Sequence, residues 1–168
     1  MKVLEHFSIP YQGLKNGMHT FWFEVENVFF EAFEESFIKQ GGFKVKLDLD
    51  KRPDMAIAIF ECDGYVVLPC DRCLLDFEMP LSLEFKLHIK YGAPDPNEDE
   101  VMFIDLETSK INFAQYIYEW ICISLPMVRM HSDIKNCDPL MIEKLSNNSI
   151  ENEDDNIFSK LKNIKFDN

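Results

Sequence analysis

The chain has 168 residues, which is the length of one domain or of one domain with a tail. An apolar fraction of 46% can build a core without disulfides. The formal net charge of −13 argues against a protein that binds nucleic acid through bulk charge, because such proteins usually present a basic face.

The patterns that mark targeting and compartment favour a cytoplasmic protein. The apolar runs fall far short of the ~20 residues that a membrane helix needs. Lys2, Glu5 and His6 interrupt the apolar stretch that a signal peptide would require. Five cysteines are an odd number, which argues against a secreted disulfide framework and favours reduced thiols or metal ligands.

The first part of the chain predicts two strands and a helix. A strand is expected over residues 6–14, and alternating apolar residues predict another over 19–25. Asn27 has the position of an N-cap for a helix from Val28 to about Gln40, which Gly41 and Gly42 would end. The nearby aromatic residues lack the Lys or Arg of a base-stacking surface, so we expect these in the core: Phe21, Trp22, Phe23, Phe29 and Phe30.

The middle of the chain predicts a series of strands. Residues 43–50 alternate between apolar and charged, and residues 55–62 form an apolar run. Asp63-Gly64 then predicts a type I′ turn that leads into a hairpin strand over 65–68. A long strand follows over 77–91.

The second half adds helices to these strands. The pattern predicts a short strand over 101–104, a helix over 113–125 that Pro126 ends, and a short helix over 139–145. Because strands and helices do not alternate regularly, we expect an α+β fold with a mostly antiparallel sheet and two or three flanking helices. A partial barrel stays an alternative.

The acidic excess is concentrated in one stretch. Residues 94–109 carry six acidic side chains and no basic one. Two prolines and clustered acids at 94–100 predict a solvated loop over that stretch. The polar residues after 145 read as a linker, followed by a weakly amphipathic segment at 156–164. We therefore expect one domain over residues 1–145 and a tail over 146–168.

A Cys-x-x-Cys motif, Cys70 to Cys73, joins two predicted strands. Two thiolates at this spacing can fill two positions of a tetrahedral metal site. His131 and Cys137 share the irregular segment after Pro126 and could supply the other two ligands. This Cys₃His set would select zinc, in a structural role, and would order a poorly patterned segment. The alternative is two partly buried thiols at a turn and two unrelated loop residues.

The evidence for an enzyme is weak. The chain has no nucleophile elbow, phosphate-binding loop, dinucleotide motif or zinc-protease helix motif. A thioredoxin-like thiol is disfavoured, because that motif should open a helix and Cys73 leads into a strand. Arg72 could pair with Asp71 or Asp76, contact a phosphate or a partner carboxylate, or remain solvated. A localised basic surface is expected around four side chains: Lys44, Lys46, Arg72 and Lys86.

Several segments together resemble the YceD family. The most distinctive is Cys70-Asp-Arg-Cys-Leu-Leu-Asp-Phe77, supported by residues 9–23, the Phe29-Phe30 pair and residues 117–126. The resemblance covers about residues 5–145. Some branches of this family carry further cysteine pairs in the C-terminal part, where this chain has His131 and Cys137.

The resemblance implies a function and no reaction. The family is associated with accumulation of large-subunit ribosomal RNA, so we expect a non-enzymatic ribosome-biogenesis factor. Its expected partner is a ribosome-assembly protein or a large-subunit ribosomal RNA precursor. Two alternatives remain open, a small thiol- or zinc-dependent enzyme and a general protein-interaction module with an acidic contact loop.

Overall fold

The structure is a computed structural model that describes residues 2–34, 36–93 and 101–147. Its elements run in the order α1 (Lys2–Glu5), β1 (Ser8–Ile9), β2 (Gly17–Val25), α2 (Asn27–Glu31), β3 (Gln40–Lys51), β4 (Met55–Pro69), β5 (Asp76–Tyr91), β6 (Val101–Ile104), β7 (Ile111–Asn112), α3 (Ala114–Ile123) and α4 (Pro139–Asn147), with a 3-10 turn at Ile134–Asn136. The acidic loop predicted at 94–100 and the segment at 156–164 lie outside the described residues.

The fold is α+β, as the sequence predicts. Five strands form one sheet in the order β2-β3-β4-β5-β6, and β1 pairs with β7 in a separate antiparallel ribbon. β2, β3 and β4 pair antiparallel, whereas β6 lies parallel to β5. Within the described part of the chain the sheet ends at β2 and β6, so it is not a closed barrel, and four α-helices accompany it.

The described residues of the chain form two compact units. The first consists of residues Met1–Leu68 and Asp76–Arg129, and the second of Pro69–Leu75 and Met130–Asn168. The expected boundary at residue 145 stays a prediction, and α4 extends two residues beyond it. No helix of the described residues has the length and apolar character needed to span a bilayer.

The first unit has an apolar core on the inner face of the sheet. The residues of β3 and β4 alternate between buried and half-buried or exposed, as expected for strands with one face covered. Phe60 on β4 stacks on Phe85 of β5 with ring centroids 4.5 Å apart, and Trp120 of α3 stacks on Phe85 at 4.9 Å. α3 buries Ile117 and Ile121 in the same core. The sheet face covered by α3 is therefore the stable centre of this unit.

The predicted helix over 28–40 is wrong beyond its first turns. α2 ends at Glu31, and Gly41 and Gly42 belong to β3. Asn27 is not an N-cap, because its side-chain oxygen accepts the backbone N–H of Gly41 at 2.9 Å. A Cβ on Gly41 would press on the backbone carbonyl of Tyr65, so this glycine permits strand pairing instead of ending a helix.

The predicted hairpin turn at Asp63-Gly64 is also wrong. β4 runs without a break from Met55 to Pro69, and Gly64 pairs with Phe43 of β3. A Cβ on Gly64 would collide with the carbonyl of Gly42, so close approach of two backbones explains this glycine. Cys62 consequently lies within a strand and faces the core, where burial and the charge of Asp63 raise its pKa to about 12.

The first predicted strand is shorter than expected, because a buried lysine holds a turn after it. β1 covers only Ser8–Ile9 of the predicted 6–14. Lys51 on β3 donates to the carbonyls of Tyr11 and Leu14 at 2.8 and 2.9 Å, and its amine lies 4.4 Å from the centre of the Tyr11 ring.

One expected core aromatic lies on the outer face of the sheet. Trp22 is 68% exposed, because it alternates with the inward-facing Phe21 and Phe23 along β2. Phe29 and Phe30 are buried, as expected.

Candidate metal centre

The first half of the site is the tight connection between β4 and β5. The N–H of Cys70 donates to the carbonyl of Leu75 at 2.9 Å, and the N–H of Leu74 donates to the carbonyl of Cys70 at 2.8 Å. Leu74 adopts a φ of 65°, the left-handed conformation that lets the chain reverse within this loop. The loop therefore presents Cys70 and Cys73 together at one end of the sheet's longest strands.

The second half is an irregular segment held by local hydrogen bonds. The carboxylate of Asp133 accepts the N–H of Lys135 at 2.9 Å and starts a 3-10 turn. The N–H of Cys137 donates to the carbonyl of Ile134 at 3.0 Å, which closes this turn. The turn brings Cys137 back beside His131.

The two halves meet in a four-residue cluster within the second unit. The ligand atoms of Cys70, Cys73, His131 and Cys137 all lie within 4.8 Å of one another. Nδ1 of His131 is 3.6 Å from Sγ of Cys73 and 3.6 Å from Sγ of Cys137. Ordinary zinc–sulfur and zinc–nitrogen bond lengths in a tetrahedron place such ligand atoms about 3.6 Å apart. The residues therefore fit a zinc ion in both chemistry and spacing.

Backbone donors favour the thiolate that a metal needs at Cys70. Burial disfavours its charged form, but the N–H groups of His131, Arg72 and Cys73 hydrogen-bond to its sulfur and lower the pKa of Cys70 to about 6. Burial and the neighbouring thiols of Cys73 and Cys70 raise the pKa of Cys137 to about 11. Three thiols crowded at one place cannot all ionise easily without a cation, and a bound zinc ion would supply it.

Arg72 lies between the two cysteines of the motif and turns its side chain towards sulfur. Its Nη1 is 3.7 Å from Sγ of Cys137, and its Nη2 is 3.5 Å from Sδ of Met130. The interaction with Met130 was not foreseen, since nothing in the sequence links that methionine to the motif. Arg72 therefore contacts a residue of the Cys₃His cluster, and its expected contact with a phosphate or a partner carboxylate stays a prediction.

The other expected binding residues lie on the outer face of the sheet in the first unit. Lys46 on β3 forms ion pairs with Asp48 at 2.8 Å and Glu61 at 3.4 Å. Lys44, also on β3, is exposed and stands opposite Glu24 and Asp63 in the strand register. Lys86 is exposed on β5. Acidic neighbours thus offset the basic charge around Lys44 and Lys46.

A comparison with protein-family models identifies the chain. The model described as large ribosomal RNA subunit accumulation protein YceD matches residues 59–165. The chain belongs to the YceD family. The matched range contains all four residues of the cluster, and it leaves out the opening segment at 9–23 that also suggested this family. Neither a curated protein nor a solved structure gives a significant match.

Proposed function

We propose that the protein is a non-enzymatic ribosome-biogenesis factor that supports processing or accumulation of large-subunit ribosomal RNA. The observation that carries the proposal is the YceD family match, because the family's description names accumulation of that RNA. The match spans the Cys₃His cluster, so the proposed metal centre belongs to the part of the chain that the family shares.

A structural zinc ion fits this proposal better than a catalytic one. A catalytic zinc ion usually keeps one position open for water, whereas four protein ligands close the coordination shell. Cys70, Cys73 and Cys137 are all buried, and His131 is half-buried. The ion would hold the connection between β4 and β5 to the segment around residues 131–137.

The same burial argues against the alternative of a thiol-dependent enzyme. Cys70 has the low pKa that a nucleophile needs, but its side chain is fully buried. The hydrogen bonds that lower its pKa would serve a metal–thiolate bond equally well.

The charge of the chain favours a contact with the ribosomal RNA that is mediated by a protein. The formal charge of −13 opposes generic phosphate binding. On the outer face of the sheet the cation of Lys46 is already shared between Asp48 and Glu61. We therefore propose a ribosome-assembly protein as the direct partner and the ribosomal RNA precursor as the indirect one.

Depletion of the protein tests the proposed function. Mature large-subunit ribosomal RNA should fall relative to small-subunit ribosomal RNA, and its precursors should accumulate or be degraded. Re-expression of the wild-type chain should restore the ratio, and a Cys73→Ser, Cys137→Ser double variant should not. Unchanged large-subunit RNA after depletion would contradict the proposal.

Affinity purification with and without ribonuclease separates the two kinds of contact. A protein partner that is retained after ribonuclease treatment supports a protein-mediated role. Crosslinking of ribosomal RNA directly to this chain, with no partner retained, would refute that version and leave direct RNA contact in its place.

A further inference from the structure

We propose that Arg72 is a positioning residue of the metal centre, whose guanidinium holds Cys137 and neutralises the charge of a Cys₃His zinc site. This inference rests on the proposed zinc ion. It gives the arginine of the Cys-x-x-Cys motif a role inside the protein, at the metal centre, and that role needs no contact with a partner. It deepens the structural role of the centre and concerns no reaction.

The position of Arg72 lets one residue connect both halves of the centre. Its backbone lies two residues after Cys70, within the tight loop that carries the first pair of ligands. Its side chain reaches Sγ of Cys137, which lies 65 positions later in the chain, at 3.7 Å. A shorter side chain at position 72 could still belong to this loop, but it could not span to Cys137.

The planar guanidinium is fixed by a second sulfur. Nη2 lies 3.5 Å from Sδ of Met130 while Nη1 faces Cys137, so both arms of the fork have a sulfur neighbour. Met130 directly precedes His131 in the sequence, so the guanidinium also contacts the chain segment that carries the histidine ligand. Lysine carries one point charge on a flexible stem and cannot hold two sulfur atoms in this planar arrangement.

The net charge of a zinc-filled Cys₃His site explains why a cation is needed beside it. Three thiolates, one neutral imidazole and one Zn²⁺ ion have a formal total charge of −1, and the cysteines that carry it are buried. A buried charge without a partner is costly, and the guanidinium of Arg72 supplies the compensating positive charge. Among residues 69–75 and 130–147 the other cations, Lys135 and Lys144, are exposed.

Hydrogen bonds to a metal-bound thiolate have two measurable consequences. They stabilise the ligand in its deprotonated, correctly oriented form, which raises metal affinity. They also draw electron density from the sulfur, which slows its attack on an electrophile. Loss of Arg72 should therefore weaken zinc binding and make Cys137 more reactive while zinc is bound.

The primary experiment measures zinc affinity of the full chain by competition with a chromophoric chelator. Arg72→Met retains much of the aliphatic volume and removes the cation, and we expect a 10- to 100-fold loss of affinity, the usual range for an outer-shell partner of a metal ligand. Lys135→Met is the matched control, because it removes an exposed cation two positions from Cys137. We expect a change of less than about twofold for this control, as for an exposed charge.

A second readout separates a positioning role from general loss of folding. With zinc saturating, iodoacetamide should alkylate Cys137 about tenfold faster in Arg72→Met than in the wild type, whereas Lys135→Met should match the wild type. Arg72→Lys retains a positive charge and should recover only part of the affinity. If Arg72→Met fails to fold, the comparison of Arg72→Lys with the wild type decides the same question.

The outcomes distinguish this inference from the proposed zinc site. A wild-type chain that binds no zinc would refute the zinc site and the role of Arg72 together. Zinc binding by the wild type, with Arg72→Met indistinguishable from Lys135→Met in affinity and alkylation rate, would refute the role of Arg72 alone. Full recovery by Arg72→Lys would refute the requirement for a two-armed fork.

Discussion

The two compact units of this protein are stabilised by different means. In the first unit, inward-facing residues of five strands and the buried face of α3 form a continuous apolar core. In the second, the described residues 69–75 and 130–147 bury only three side chains, and all three are cysteines of the Cys₃His cluster. Neither the 3-10 turn nor α4 buries a residue.

This contrast shows where the hydrophobic effect is sufficient and where it is not. Burial of Phe, Leu, Ile and Val provides the main driving force for the first unit. The second unit lacks such a core and resembles in this respect the small domains that need a metal or a disulfide. A ligand that binds only the folded arrangement would then supply the missing stability.

Removal of the proposed zinc ion is the strongest test of this contrast. With a chelator, residues 130–147 should lose amide protection in hydrogen exchange, whereas β3 and β4 should keep theirs, because structural zinc contributes on the order of 10 kcal/mol in small zinc domains. Cys137→Ser should have the same effect, and Cys122→Ser, in α3, should leave zinc content unchanged. Equal loss of protection in both units would show that they are one cooperative system.

Truncation of a core side chain should instead destabilise the first unit. Phe60→Ala removes a ring that stacks on Phe85 and also contacts Phe113, and it should destabilise the first unit by about 3–5 kcal/mol. Chemical denaturation followed by far-UV circular dichroism measures this loss, and Trp22→Ala, which truncates an exposed aromatic residue, is the control. A similar loss in both variants would mean that the core has been assigned to the wrong sheet face.

The hydrogen bonds of the buried Lys51 should also contribute to the stability of the first unit. Lys51→Met would leave the carbonyls of Tyr11 and Leu14 without this donor, and about 1–3 kcal/mol of stability should be lost. Lys44→Met removes an exposed lysine from the opposite face of the same strand and should change stability by less than about 0.5 kcal/mol. The difference between the two denaturation midpoints is the quantity to measure.

The smallest expected effect concerns the loop between β4 and β5. Leu74 is 66% exposed and has a φ of 65°, so Leu74→Gly should relieve about 1 kcal/mol of backbone strain, in part offset by the greater freedom of glycine in the unfolded chain. Zinc should bind slightly more tightly, by about two- to threefold. Leu75→Gly has no such strain to relieve and should bind zinc no better than the wild type, and an equal gain in both variants would argue against strain at Leu74.

Long strands and helices of this protein could be predicted from the sequence, because side-chain periodicity reports which face is covered. β3, β5 and α3 follow their predicted bounds closely. Glycine was the main source of error. The sequence predicts a helix end at Gly41 and Gly42 and a turn at Gly64, but all three glycines lie in paired strands. Gly41 and Gly64 permit close approach of β3 and β4, a tertiary contact that local propensity cannot reveal.

The four ligand candidates could be chosen from chemistry and spacing, and the structure brings all of them together. The partners of these ligands could not be chosen in the same way. The contact of Arg72 with Cys137 joins positions 65 residues apart, and the backbone donors to Cys70 depend on the path of two loops. Such contacts depend on the folded backbone, and no local sequence pattern predicts them.

The separation of the ligands along the chain also sets an order of assembly. Cys70 and Cys73 are placed as soon as β4 and β5 form their connection, but His131 follows Cys73 by 58 residues. The strands β5, β6 and β7 and the helix α3 lie between them and must be synthesised before the second pair of ligands exists. Completion of the four-ligand set is thus a late event in the synthesis of this chain, and a filled site would mark a polypeptide whose intervening strands and helix have already been made.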